Sequence, residues 1–594
     1  MNTLPPFRFF ILYLLAGFML LQCTTEPASP PQIRGWNLLS SDLIAGKRAL
    51  DKADEYTINH LQLSHQLIMD LKDVRNPKKY QPAKQFIEEA RSKQVEDILV
   101  WDHALYSLSY YPDRFKTPEG KLNLDDTGFW KWFSDDYHSM LDSLPHISGI
   151  VLTFIETGAR VEQQYSERWI TEAEKLAHLV DSVAHIVIDE RGLDLYIRTF
   201  MYHKNELDDL LSAVHLIAHP KVKVMSKETP HDFFLTHPVN TYVEEIDRKV
   251  LIEFDLGHEF NGQGIIASIL PEITIQRWKY FSNLPNVSGY VARTDRFGDT
   301  QNIGRPTEIN LYALKRIAEN PELTAQEIVG EYIETHYGED LVEPLTTLFL
   351  QTDDVILSSL YTLGMHINNH SAFDFDYESN YSRHVSGKWL EHPVSEIYHS
   401  VDTSYHYWQD IVEHLSPARY KTYTHDTGKP TILSVEAPWV LENGWVTPED
   451  RINLHFLTEV IKEKTYSVQL AGELLSDLKK LEPRFKDRQA YEELVHLYER
   501  THLSAQLYAA GAAAYFGYRA FINDPDQSEI RNITYNGLME SDRIADLISS
   551  YPFPGPAGQL NWANEAVRAN RMSERIRNGW DTYGGIPFTY TSAR

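Results

Sequence analysis

The segment Val250-Leu-Ile-Glu-Phe-Asp-Leu256 can bring two carboxylates together. Successive side chains of a strand point to opposite faces, so Glu253 and Asp255 share one face while Ile252, Phe254 and Leu256 share the other. If the apolar face meets helices, the carboxylates face an interior. Charges there cost several kcal/mol unless paired. Arg198 and Lys227, on neighbouring apolar runs, are suitable partners. His258 and Glu259 follow in the next loop. Carboxylates so placed can act as general acid and base. The plainer reading is a structural ion-pair layer, which suits Glu253 better than Asp255.

Other apolar runs also end in groups able to do chemistry. One closes on Glu156-Thr-Gly-Ala-Arg160, where Glu156 can move a proton and Arg160 can bind an anion or merely anchor a loop. Another closes on Trp101-Asp102-His103, and a third on Ser64-His65. Histidine titrates near neutrality and serves as acid or base, although a lone His is more often a hydrogen-bonding residue. Arg293, Asp295 and Arg296 close the last run and could grip a carboxylate by paired hydrogen bonds, or form a surface ion pair. No H-E-x-x-H, P-loop or G-x-S-x-G motif occurs, and the single cysteine offers no thiolate cluster. The His366–His370 stretch is a poor metal candidate. No metal and no cofactor are expected.

These groups need a scaffold that gathers strand ends. Apolar runs at 33–39, 59–64, 97–101, 149–155, 193–200, 222–226, 250–256 and 287–294 alternate with helical patterns at 41–56, 82–93, 129–144, 171–188, 204–217 and 275–284. Eight βα units predict an α/β fold, a (β/α)₈ TIM barrel over 33–324, with active groups at the C-terminal strand ends. A doubly wound open sheet is the rival, but its Gly-rich first turn is missing. Thr324-Ala-Gln-Glu327 is a capping box that opens a helix. From there to about 360 the pattern is helical, a loop follows over 363–385, and further helical patterns at 395–420 and 449–550 predict a helical C-terminal domain over 325–594. The tail beyond Pro552 should be ordered against it.

Arg8 precedes an apolar run from Phe9 to Leu21, then Leu20-Leu21-Gln22-Cys23. The run is too short to cross a bilayer as a helix, which takes roughly 20 residues, and suits a signal peptide over 1–23. Its end resembles a bacterial lipobox, with Cys23 as the lipidation site; Gln22 is larger than the usual small residue there. Residues 24–32 read as a tether. The expected location is a bacterial cell envelope, lipid-anchored on the periplasmic or outer side. With Cys23 the only cysteine, no disulfide can form within the chain. A formal charge of −28 argues against nucleic-acid binding. An acidic ligand would need a local basic cluster. The 34 Tyr and 12 Trp offer flat faces on which sugars stack, or simply an aromatic core.

Four segments in order resemble the microbial α-glucuronidases. Residues 309–328, I-N-L-Y-A-L-K-R-I-A-E-N-P-E-L-T-A-Q-E-I, are similar to that family's A-N-L-Y-G-F-G-R-L-A-W-N-P-x-L-S-A-E-E-I. L-Y-I-R-T-F-M-Y, K-V-M-S-K-E-T-P-H-D-F and L-I-E-F-D-L-G-H-E-F-N-G-Q-G resemble its I-W-R-A-F-V-Y, I-L-Q-I-K-N-G-P-x-D-F and L-E-L-Q-I-T-Q-E-Y-x-G-Q-G. The similarity covers about residues 145–330. It implies a (β/α)₈ barrel, a helical C-terminal domain and recognition of a terminal uronic acid, with Arg198 and Lys227 near its carboxylate or hydroxyls. Three departures stand out. The family's β-sandwich domain before the barrel has no counterpart, and the loop expected to carry its bases is short near Pro271-Glu272. Its R-E-P triplet, holding the acid, falls at Thr236-His237-Pro238.

Three functions are compatible with these residues. The first is an exo-acting, α-glucuronidase-like glycoside hydrolase that removes a terminal uronic acid. Glu156 and Asp255 would be its acid/base pair, in either order, and Arg198, Lys227 and Arg293 its binders. The second is a uronate dehydratase or lyase working by β-elimination, which His237 in the acid's place favours. The third is a non-catalytic glycan-binding lipoprotein. The partners are then a uronate-bearing oligosaccharide and a membrane, with self-association possible through the helical domain.

Overall fold

The computed structural model describes residues 31–153, 157–199, 204–230, 232–235, 239–362, 365–366, 454–558, 561–579 and 586–590. Cys23, Glu156, His237, nearly all of the tether, the His366–His370 stretch beyond His366 and the pattern at 395–420 lie outside them.

Eight parallel strands close into a barrel in sequence order: β1 Ile33–Leu38, β2 His60–Leu63, β3 Asp97–His103, β4 Gly149–Thr153, β5 Asp194–Thr199, β6 Lys223–Lys227, β7 Val250–Asp255 and β8 Val287–Arg293. The last strand pairs with the first, Asn37 opposite Arg293, which excludes the open sheet. Helices α1 Leu43–Leu50, α2 Pro77–Ser92, α3 Thr127–Leu141, α4 Glu172–Ala184, α5 Lys204–Leu216, α6 Pro271–Phe281 and α7 Glu308–Glu319 connect the strands and follow the last. Asp42, Asn76, Asp126 and Thr171 accept hydrogen bonds from first-turn amides and fix where α1 to α4 begin.

Alternation sorts the strand residues into two cores. Leu99, Trp101, Val151, Tyr196, Met225, Leu251 and Val291 fill the barrel interior. Val100, Ile150, Leu195, Val224, Ile252 and Phe254 face the helices. The barrel interior is a packed core, and in this fold the active groups gather at the C-terminal ends of the strands.

Beyond the barrel come α8 Ala325–His336, α9 Val342–Leu350, α10 Thr352–Leu360, α11 Leu454–Lys480, α12 Arg488–Asn523, α13 Ser528–Ser550 and α14 Asn564–Asn578. The capping box at Thr324 and Glu327 is formed as expected. Leu507, Tyr508 and Tyr515 of α12 share a core with Phe260, Ile265, Ile266 and Leu270 of the segment after β7. The helical part thus presses on a rim loop of the barrel. Among the described residues no helix is long and apolar enough to cross a membrane.

Candidate active site

Register builds the site. Lys227 lies opposite Glu253, Asp255 opposite Arg293, and His103 opposite Thr153. These are consecutive inward positions at the C-terminal strand ends, so Lys227, Glu253, Asp255, Arg293 and Arg198 converge on one mouth. All five are buried.

An ion-pair ladder runs across that mouth. Arg198 Nε donates to Glu253 Oε2 at 2.7 Å, and Arg293 Nε donates to Glu253 Oε1 at 2.8 Å. Arg293 Nη1 reaches Glu259 Oε2 at 3.2 Å, and Arg296 Nε meets the same oxygen at 2.8 Å. Burial alone would raise the Glu253 carboxyl, but the charges of Arg198, Arg293 and Lys227 outweigh it and hold the group at about 2. Glu253 therefore stays ionised and has both oxygens committed. Burial opposes the charge on Arg293, yet Glu253, Glu259 and Asp255 raise its pKa further. Lys227 Nζ pairs with Asp232 Oδ1 at 2.7 Å, in the loop after β6.

Flat rings back these cations. Arg198 lies 4.8 Å over Trp101, Arg293 4.8 Å and Lys227 4.5 Å over Phe233, and Arg296 4.1 Å over Phe297. Cations held over aromatic faces in a water-poor site attract an anionic ligand more strongly than the same groups in water.

Asp255 behaves differently from Glu253. Its Oδ2 accepts from the Glu259 amide at 2.7 Å, while Oδ1 is buried and has no hydrogen-bond partner among the described residues. Burial is the main force raising its pKa, the negative charge of Glu259 adds to it, and Arg293 and Arg296 only partly oppose; the group sits at about 8. The shift favours the protonated carboxylic acid near neutral pH.

Three imidazoles approach the rim. His103 Nδ1 lies 2.7 Å from the Met69 carbonyl, which can only accept, so that nitrogen carries the proton. Asp70 Oδ1 lies 3.4 Å from the same nitrogen, and in the neutral ring the lone pair is on Nε2, which is buried and unpartnered among the described residues. His65 lies edge-on to Phe297 and near Trp101, and burial with the charges of Arg293, Arg296 and Arg198 pushes its pKa well below the ordinary value. Burial and Arg277 take His258 down to about 3. His65, His258 and Phe297 all have left-handed backbones, with φ of 53°, 53° and 66°. Each costs roughly 1–2 kcal/mol for a residue bearing a Cβ, and such strain gathers at functional sites. Gly257 answers a different constraint: a Cβ there would lie 2.4 Å from the Asp295 carbonyl oxygen.

Several expectations shift. Asp102 does not face the mouth. Its carboxylate points to the helix side and accepts from the Leu71 amide, Tyr106 and Tyr137, each at 2.8 Å. Strand alternation explains this, since Leu99, Trp101 and His103 occupy the other face. Arg160 pairs with Glu162 in the loop after β4, and its carbonyl accepts from Gln164, which suits a loop anchor. Glu253, expected among the catalytic groups, accepts from Arg198 and Arg293 with one oxygen each and so orients the two guanidiniums. Asp295 ties the rim to β1, accepting from the Leu39 and Ser40 amides at 3.1 Å. Glu228 and Phe233 lie within the family-like segment K-V-M-S-K-E-T-P-H-D-F, whereas nothing in the local spacing of Phe297 and Arg277 marks them as part of the site. Among the described residues no group of three His, Cys, Asp or Glu side chains is placed to hold a metal ion.

No family model matches the sequence, and no curated protein matches it. Solved structures do match in fold. A GH138 enzyme targeting pectin rhamnogalacturonan II superposes with a TM-score of 0.55 at 10% identity, over 93% of this chain and 68% of that one. A mutant of the Thermobaculum terrenum O-GlcNAc hydrolase gives a TM-score of 0.42 at 10% identity, over 93% of this chain and 96% of that one. At such identity the likeness to the pectin-targeting enzyme is one of architecture: this chain folds as a closed eight-stranded parallel barrel with a helical C-terminal region.

Proposed function

We propose that this protein is an exo-acting glycoside hydrolase that removes a terminal uronic acid from an oligosaccharide. One observation carries the reading: Asp255, a buried carboxyl, stands beside Arg293 at the barrel mouth with Oδ1 unpartnered among the described residues, where burial and the charge of Glu259 raise its pKa. Arg293, held by Glu253 and Glu259, would face the uronate carboxylate, with Arg198 and Lys227 completing a basic wall. Asp255 would give its proton to the glycosidic oxygen as the C1–O bond breaks. A water would attack C1 from the opposite side and lose its proton to a carboxylate, for which Glu156, just past the end of β4, is our candidate. The likeness in fold to an enzyme targeting pectin rhamnogalacturonan II is in keeping with a carbohydrate substrate.

His103 favours a second reading, β-elimination. With Nδ1–H fixed on Met69, its Nε2 lone pair could take the C5 proton of a uronate. The C4–O bond would break, Asp255 would protonate the departing oxygen, and an unsaturated uronate would form. Lipid anchoring at Cys23, and hence a place at a bacterial cell envelope, belongs to the same proposal.

Product analysis on oligosaccharides capped by different uronic acids is the test. Hydrolysis releases the free uronic acid with no new ultraviolet absorbance, whereas elimination creates a conjugated, absorbing product. Binding without either product would leave a glycan-binding protein and overturn the enzymatic proposal.

A further inference from the structure

A tyrosine from outside the barrel ties two rim loops together. Tyr361, directly after α10, is completely buried. Its hydroxyl accepts from the Leu235 amide at 2.9 Å and donates to Asn261 Oδ1 at 2.7 Å. Asn261 Nδ2 donates in turn to the Phe233 carbonyl at 3.3 Å. One phenol thus bridges the loop after β6 and the loop after β7. The first loop carries Asp232, the partner of Lys227, and Phe233, the ring beneath Lys227 and Arg293. The second carries His258 and Glu259, and the Glu259 amide donates to Asp255.

The placement of Tyr361 is itself fixed. Lys464 of α11 is buried, and its Nζ donates to the Ser358 carbonyl at 2.7 Å, the Ser359 carbonyl at 3.0 Å and the Tyr361 carbonyl. An ammonium on the last carbonyls of a helix satisfies orphan acceptors and suits the negative end of the helix dipole. The chain therefore leaves α10 in one direction, and that direction carries the phenol to the rim.

We infer that Tyr361 is a positioning residue for the barrel mouth, setting the arrangement of the Asp232–Phe233 and His258–Glu259 loops on which the reaction depends. The helical part then completes the active site, and the barrel alone would lack it. This rests on the hydrolytic reading above. The groups facing Asp255 are Glu259 from the same loop, Arg293 and Arg296 from the end of β8, and Glu228, which accepts from the Asp255 amide at 3.2 Å. Loosening the Asn261 loop lets Glu259 withdraw and water enter. Entry of water and loss of the Glu259 charge lower the pKa of Asp255, and together they outweigh loss of the Glu259 amide bond, which acts the other way.

The experiment compares Tyr361→Phe with wild type in the full chain, on an oligosaccharide that the wild type cleaves. Tyr361→Phe keeps the ring and its packing and removes only the hydroxyl. The expected result is a fall in kcat on the order of 10²-fold, as a small misplacement of catalytic groups produces. KM changes little, and the alkaline limb of the pH profile moves to lower pH. Asn261→Asp, which keeps the acceptor oxygen, should retain more activity than Asn261→Ala. Should Tyr361→Phe fail to fold, Asn261→Ala breaks the same bond and is read the same way. An unchanged kcat and an unmoved alkaline limb in the folded variant would overturn the positioning role. A wild type with no turnover on any uronate-capped substrate would instead overturn the hydrolytic reading on which it rests.

Discussion

The Glu259 amide donates to Asp255 Oδ2 at 2.7 Å, so the same residue that steadies this carboxyl also sets a negative side chain beside it. The backbone bond favours the anion, but burial and the Glu259 charge favour the acid, and together they win. Glu253, one inward position deeper on β7, has the opposite fate because Arg198 and Arg293 bracket it. Two carboxylates on one strand face are thus driven apart in pKa by their surroundings.

That separation gives opposite pH dependences. Asp255 keeps its proton in the folded state from the ordinary carboxylate value of 3.8 up to about 8, a window in which the unfolded chain has lost it. Its contribution to stability is complete below that window and disappears as pH rises through it. Glu253 contributes above its ordinary value of 4.5 and loses the contribution as pH falls toward about 2. Asp255→Asn should therefore gain stability relative to wild type as pH rises toward 8. Across that range the urea midpoint of the variant minus that of wild type should move steadily upward; a constant difference would contradict the raised pKa.

Glu253→Gln removes the negative charge that Arg198 and Arg293 share in the ladder. Truncating one member of a buried, hydrogen-bonded pair costs about 3–5 kcal/mol. We expect a loss of that order by urea denaturation, together with loss of turnover as both guanidiniums relax. A variant of wild-type stability would show that the ladder contributes nothing.

Arg293→Lys keeps the charge but cannot span Glu253 and Glu259 as a planar fork does. A charge-assisted hydrogen bond contributes about 1.5–3 kcal/mol, so preference for a uronate-capped substrate over its neutral-sugar counterpart should fall by roughly 10- to 150-fold. The ratio of kcat/KM for the two substrates measures this. An unaltered ratio would remove Arg293 from recognition of the carboxylate.

Cys23→Ser should move the protein from the membrane fraction to the soluble fraction with its specific activity intact. Fractionation with metabolic labelling by a fatty acid reads both. Retention in the membrane without label would contradict the lipid anchor.

Much of this was legible in the chain. Parallel strands buried on both faces read as short apolar runs, and all eight appear within a few residues of their expected bounds. Period-two alternation sufficed to turn Glu253 and Asp255 inward. The same alternation, applied to Leu99, Trp101 and His103, would have turned Asp102 outward. The rest depends on contacts distant in sequence. Tyr361 meets Asn261 across 100 positions, and Arg293 meets Glu253 across 40. Local pattern carries no trace of such pairings, nor of which carboxyl keeps its proton, because that follows from burial and neighbours.

The central claim is that Asp255 donates a proton to the leaving oxygen, and a comparison of two substrates tests it most directly. A uronosyl fluoride needs no protonation to depart, whereas an oligosaccharide does. Asp255→Asn should lose about 10²–10⁴-fold in kcat on the oligosaccharide and little on the fluoride. Equal losses on both substrates, or none on either, would contradict the assignment.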